Sequence, residues 1–203
     1  MYYNECIFIQ PATSLNCYHK TGKRRKRKTL PAFCFTPGLA DGLLYADLIC
    51  WVDSEEALMQ FAGPAFSFPL TNEQLDLSLS EKNRYAFRVI DNGTNLSIGH
   101  CEIFLTDTSA YLGRILIVDQ EQRGKGLGKQ VVNLLLDFAF HNLDRTKVEL
   151  NVFDFNIIAI KCYEKVGFAI NPDKKFERKI NDETWTALNM TINKTDWQQF
   201  PVL

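Results

Sequence analysis

The sequence predicts a mixed α+β domain, and three observations carry that prediction. Three β-rich runs, Tyr85–Ile90, Leu96–Leu105 and Tyr111–Val118, succeed one another with no helical pattern between them, and Asp91-Asn92-Gly93 joins the first two as a strong hairpin turn. A fourth run, Val148–Val152, follows the third only after an amphipathic helical stretch, so these two strands should be parallel neighbours with a right-handed crossover. Helical patterns precede the meander, and two further strands, Phe168–Ile170 and Thr184–Ile192, close the chain.

Taken in order, residues 1–36 carry little structural signal. Lys23 to Lys28 is an unbroken basic run that repels itself and will be solvated. It is expected to be an irregular extension, with a nucleic-acid or anionic-surface arm as the functional alternative. Part of Leu30–Phe35 can serve as a first, edge strand. The folded domain is expected over 37–203. Leu43, Leu44, Leu48, Ile49 and Trp51 suit a helix capped by Asp41. Asp53 with Glu56 makes a capping-box-like start for a second helix that Gly63-Pro64 ends. An apolar loop through Phe66 and Phe68 leads to a third helix, begun by Thr71 with Gln74. After the meander, Val131, Leu134, Leu135 and Phe138 mark a helix ending near His141. Asn156 caps another, which runs to a C′ glycine at Gly167.

A chain of 203 residues is one domain by length and can bury a real core. No apolar run approaches the ~18 residues of a membrane span, and the N-terminus lacks the basic-then-apolar order of a signal peptide, so no membrane partner and a cytoplasmic location are expected. Six scattered cysteines without a C-x-x-C pair read as reduced thiols. Cys17, His19 and Cys34 lack zinc spacing and a fourth ligand, so no metal is expected. Residues 1–40 hold seven bases and one acid, a balance of +6, which leaves −7 for the remainder against a total of −1. An acidic body weakly favours a cationic partner.

The chemistry concentrates in two stretches. In Gln122–Lys129, glycines alternate (Gly124, Gly126, Gly128) between Arg123, Lys125, Leu127 and Lys129, after a strand and before a helix. Glycines let backbone N–H groups approach an anion, and the helix N-terminus adds partial positive charge. The stretch is not a P-loop, because Gln130 follows Gly128-Lys129, and it is not the dinucleotide fingerprint, because its spacing is G-x-G-x-G. In the second stretch, Asn156 and Tyr163 stand seven residues apart and so share one helix face.

The pattern R-x-x-G-x-G, met by Arg123, Gly126 and Gly128, resembles the pyrophosphate-binding loop of the GNAT (Gcn-five-related N-acetyltransferase) superfamily. The second stretch resembles that family's N-x-x-A-x-x-x-Y-x-x-x-G-F signature at Asn156, Ala159, Tyr163, Gly167 and Phe168. The similarity covers roughly residues 40–192. It implies the GNAT fold: a mixed, mostly antiparallel sheet with a central parallel pair splayed to admit acetyl-CoA, and helices on both faces. It implies that amides around Arg123, Gly124, Lys125, Gly126, Leu127 and Gly128 bind the coenzyme A pyrophosphate. The strand ends at Val118 and Val152 would part around the pantetheine arm, whose amides would pair with backbone at Leu116, Ile117 and Val118. A backbone N–H there would stabilise the thioester oxyanion. Asn156 would bond the pantetheine and Tyr163 would protonate the departing thiolate.

An acceptor ammonium must lose its proton before attack. Glu102 is the first candidate for the base; by register it lies roughly opposite Arg114, so a plain cross-strand ion pair is the equal alternative. His100 and Asp119 are weaker candidates, and water can also serve. The resemblance implies an acetyl-CoA-dependent N-acetyltransferase acting directly on a primary amine of a small molecule or a peptide or protein N-terminus, as a monomer or homodimer. The alternative is a non-catalytic acyl-CoA sensor. The acceptor is expected to arrive from the side of Trp51, Phe66 and Glu102.

Overall fold

The structure, a computed structural model, describes residues 33–37, 42–91, 94–118 and 126–198. The basic run, Asp41, the Asn92-Gly93 pair, Asp119 and Arg123 to Lys125 lie outside the described residues. Among the described residues, seven strands form one sheet in the order β1-β2-β3-β4-β5-β7-β6. They are β1 Phe33–Pro37, β2 Arg84–Asp91, β3 Ser97–Leu105, β4 Ala110–Ile117, β5 Lys147–Phe153, β6 Ala169–Ile180 and β7 Glu183–Asn193. All neighbours are antiparallel except β4 and β5, the expected parallel pair. β1 pairs with β2 and so draws Phe33 to Thr36 into the sheet, across the boundary expected at 36/37.

Helices cover both faces. On one, α4 (Leu127–Asp137), continued by a π-helical turn Phe138–Asn142, and α5 (Ile157–Glu164) lie over the main core. Val131, Val132, Leu135 and Leu136 are fully buried there, whereas Leu134 and Phe138, expected on the inner face, are half-buried at its margin. Each such aliphatic side chain stabilises the fold by roughly 1.5–3 kcal/mol. α6 (Lys194–Gln198) braces the end of α4, with Trp197 Nε1 donating to Asn133 at 2.9 Å. On the opposite face, α1 (Gly42–Trp51), α2 (Glu55–Ala62) and α3 (Asn72–Leu79) enclose a smaller core around Leu48, Leu58, Phe61 and Leu75. Tyr45 ties α1 to α3 by donating to Asp76 at 2.7 Å; burial, then this bond, pushes its phenol up to about 12.

The caps explain where these helices begin. Thr71 Oγ1 accepts from Gln74 N, as its spacing predicts. Gln74, however, turns its amide to the backbone of Ser67 and Pro69 and so closes the loop before α3. α2 is capped by Ser54, whose hydroxyl accepts from Ala57 N at 3.1 Å, one residue later than the expected Asp53. Both side chains suit an N-cap, and the extended backbone at Ser54 decides between them.

Two strand features were not read from periodicity. β6 is far longer than Phe168–Ile170 because it is an edge strand, and its charged, proline-containing middle is tolerated there. Its register on β7 jumps between Asn171 and Lys175. In β4, register slips against β3 between His100 and Glu102, and Arg114 takes φ +51, the left-handed region. This bulge switches the strand's faces. Ala110 and Leu112 point to the main core before it, and Ile115 and Ile117 do so after it, while Leu116 joins the smaller core.

Gly99, paired with Ile117 across from the bulge, has no room for a side chain. A Cβ there would lie 2.5 Å from the Leu116 carbonyl oxygen. Gly99→Ala should therefore destabilise by about 1–3 kcal/mol, read as a Tm lower by roughly 2–4 °C per kcal/mol. An unchanged melting curve would show that β3 and β4 move apart without cost.

Candidate active site

β4 and β5 pair only at Ala110 with Val148, Tyr111 with Glu149, and Leu112 with Leu150. Both strands continue, to Ile117 and Phe153, without a partner between them. The parallel pair is thus splayed, and a cavity of about 460 Å³ opens against it. Among the expected site residues, Tyr163, Asn156 and Glu102 line this one cavity. Leu116, Ile117, Val118 and Gly126 to Gly128 are not part of its lining. Its outer wall is Met59 to Pro64, from α2 and the 3-10 turn after it, together with Phe176 and Arg178 of β6. Trp51 and Phe66, expected on the acceptor side, do not line it: both pack on the smaller core. Phe66 lies against the Arg114 guanidinium, 4.1 Å from ring centroid to Cζ.

Tyr163 owes its position to the same residues that form its motif. Asn156 Oδ1 accepts from Ala159 N at 3.2 Å and starts α5. At the other end Gly167 has φ +112; its N–H bonds Glu164 O, and Phe168 N bonds Tyr163 O, the Schellman arrangement. The contact that accompanies it places the Phe168 ring edge-on to Tyr163 at 5.9 Å. The tyrosine is 7% exposed and its helix is clamped at both ends.

Glu102 is fully enclosed on β3, on the face opposite the main core. Its Oε1 meets His100 Nε2 at 3.0 Å and Arg114 at 3.1 Å, and its Oε2 meets Arg84 at 2.7 Å. Because a carboxylate only accepts, His100 carries its proton on Nε2; its Nδ1 is buried with no hydrogen-bond partner among the described residues. Burial alone would push the Glu102 carboxyl up. The hydrogen bond from His100 and the charges of Arg114 and Arg84 outweigh it and hold the carboxyl at about 2, against an ordinary 4.5. The guanidiniums shift in opposite directions. At Arg114 burial wins and the shift is downward; at Arg84 burial also lowers it but is outweighed by Glu102 together with Glu81, so the shift is upward. Both stay charged whenever the protein is folded, so the carboxylate governs the titration. The ion pair with Arg114 was legible from register, but the additions of Arg84 and His100 were not.

A second buried acid, Glu149, lies on the same sheet face. It accepts from Ser109 and Tyr111 and pairs with Lys147 and Lys174. Burial would raise it, but bonds from Lys174, Lys147 and Tyr111 prevail and hold it at about 2. Lys174 reaches this acid and the Tyr111 hydroxyl from the register jump in β6. No signal in the sequence marked this cluster.

Gly126 stands before α4 with φ +77, and a Cβ built on it would meet nothing within 4 Å. The left-handed backbone at Gly126 favours glycine at this helix start, the position that the anion-cradle reading gives it. Among the described residues there is no group of three or more potential metal ligands, and no helix is long and apolar enough to cross a membrane.

Residues 51–168, more than half of the chain, match the acetyltransferase (GNAT) family. The SPbeta prophage-derived uncharacterized N-acetyltransferase YokL of Bacillus subtilis is 34% identical over 89 residues, 43% of this chain and 50% of that protein. The spermidine N(1)-acetyltransferase of Escherichia coli K12 is 34% identical over 77 residues, 38% and 41% of the two chains. The aminoglycoside N(6')-acetyltransferase type 1 of Klebsiella pneumoniae is 40% identical over 53 residues, 26% of each. The chain thus spans half or less of the length of these curated relatives. In fold it resembles the spermidine N-acetyltransferase of Vibrio cholerae, solved with CoA and spermine, at a TM-score of 0.67 and 20% identity over 82% of this chain and 98% of that one. The splayed parallel strands, the capped Asn156–Phe168 helix beside them and the sequence match all point the same way: the chain belongs to the GNAT acetyltransferase family.

Proposed function

We propose that this chain transfers the acetyl group of acetyl-CoA directly to a primary amine of a small molecule or of a peptide or protein N-terminus. The observation that carries the reading is the opening of β4 from β5 beyond Leu112 and Leu150, onto a cavity that Tyr163 lines. The relatives point to amines as well, since their names give spermidine and aminoglycosides as acceptors. Acetyl-CoA supplies the activated acyl group. Backbone amides from Arg123 to Gly128 and the start of α4 hold its pyrophosphate, and the unpaired edge of β4 through Leu116, Ile117 and Val118 meets its pantetheine arm.

In the reaction a C–N bond forms and the C–S bond breaks. Tyr163 gives its phenolic proton to the departing sulfur and recovers one from solvent. Glu102 stands at the acceptor side, but a carboxylate held at about 2 by three donors is a weak proton acceptor near neutrality. Its part is to hold Arg84 and Arg114 in the cavity wall, and the amine proton leaves through water. Glu102→Gln should therefore leave the acid limb of the pH–rate profile where it is, although kcat falls.

The direct test is release of free thiol from acetyl-CoA by the purified full chain across a panel of amines, beside acetyl-CoA binding measured by calorimetry. Gly126→Glu, which puts a carboxylate at the cradle, should abolish binding. Tight binding of acetyl-CoA with no thiol release from any amine would favour an acyl-CoA sensor instead. Retained binding in Gly126→Glu would remove the loop from the site.

A further inference from the structure

The charges that line the cavity do not suit a polyamine. Among its described lining residues the ionised groups are three arginines, Arg84, Arg114 and Arg178, and one carboxylate, Glu102. Both oxygens of Glu102 are already occupied. Arg84 has a second acid in Glu81, at 2.8 Å and outside the cavity, so Arg84 and Arg114 are balanced by Glu102 and Glu81. Arg178 is not balanced. Its guanidinium donates to the backbone carbonyl of Glu177 and lies 5.5 Å from the Phe176 ring centroid, and it has no carboxylate partner among the described residues. On β6, residues 174, 176 and 178 are half-buried while 175, 177 and 179 are exposed, so Lys174, Phe176 and Arg178 face inward. Lys174 is spent on Glu149, which leaves Arg178 as the cation this strand offers to a ligand.

The strand is also held over the cavity. Beyond Arg178, the turn residue Asn181 donates to Glu56 of α2 at 2.9 Å, joining the hairpin of β6 and β7 to the helix that forms the other wall. Among the described lining residues a second ammonium group, as on a polyamine or aminoglycoside, would find no open carboxylate and an uncompensated guanidinium instead. A carboxylate would find a planar fork of donors beside an aromatic face. The same positive wall disfavours the ammonium form of the attacking amine, which lowers the demand for a general base.

We propose that the acceptor is a primary amine that also carries a carboxylate, and that Arg178, beside Phe176, receives that carboxylate. The inference rests on the acetyl-transfer reading and names its substrate class. It separates this chain from the polycationic acceptors in its relatives' names, and it sets the local charge of the cavity above the acidity of the whole body.

The experiment compares matched acceptors with acetyl-CoA: an amino acid or dipeptide against its own carboxamide, with spermidine and kanamycin as polycations. Thiol release gives kcat/KM for each. The acid should exceed its amide by roughly tenfold to a hundredfold, the scale of one charge-assisted contact. R178Q should collapse that ratio and R178K should restore part of it, with melting curves confirming that both variants fold. Preference for the amides or polycations, or an unchanged ratio in R178Q, overturns the inference and leaves acetyl transfer standing. Silence toward every acceptor while acetyl-CoA still binds overturns the acetyl-transfer reading, and this inference falls with it.

Discussion

Tyr163→Phe should lower kcat by roughly 10²–10⁴-fold, the range that a positioned general acid supplies, while the Kd for acetyl-CoA hardly moves. The substitution removes one oxygen from a ring that is 7% exposed and edge-on to Phe168. The ring's volume, the Schellman bonds from Gly167 and Phe168, and the Asn156 cap all survive it. The fold and the cofactor groove should therefore be intact, and the loss should appear in the chemical step. Single-turnover thiol release and calorimetric titration with acetyl-CoA separate the two quantities. A kcat within a few-fold of the parent would remove Tyr163 from the proton transfer and leave it a clamped helix tyrosine.

Glu102→Ala should produce the largest loss of stability, about 3–5 kcal/mol, because it leaves buried charges without their partner. Arg114 and Arg84 have side chains only 8% and 13% exposed, and both bond Glu102. Urea denaturation measures the loss. A change below about 1 kcal/mol, the usual worth of an exposed pair, would mean that water enters and screens the arginines. The same network sets an acid dependence. The folded carboxyl sits at about 2, below its ordinary 4.5, so the unfolded chain takes up the proton first as pH falls. The stabilisation is complete above about pH 4.5 and is lost towards about pH 2. Glu102→Gln should flatten this part of the stability curve, and parallel curves for parent and variant would sink the assignment.

The motif from Asn156 to Phe168 was legible because each of its positions acts within a few residues. Asn156 caps three residues ahead, Gly167 takes a φ that other residues resist, and Phe168 folds back on Tyr163. The meander was legible because alternation and the Asp91 turn are also short-range; Asp91 O and Oδ1 accept from Asn95 and Thr94. β6 was largely missed because an edge strand has one unpaired side, and its inner residues, Lys174, Phe176 and Arg178, alternate with polar ones without an apolar stripe. Trp51 and Phe66, expected on the acceptor side, pack on the smaller core rather than line the cavity, because aromatic character does not tell a core residue from a lining one.

The sequence by itself determined the family's strand–loop–helix order, the parallel pair and the placement of Tyr163 on a capped helix. These follow from backbone preferences and from contacts between near neighbours. Only the tertiary structure decided what surrounds the cavity. The bulge at Arg114 turns its guanidinium onto Glu102, and Arg84 comes from β2 to complete the cluster. Arg178 meets the cavity from β6, about a hundred residues from Arg84 in the chain. Such charges interact through a desolvated space that long-range packing creates, and their balance is a property of that space rather than of any stretch of sequence.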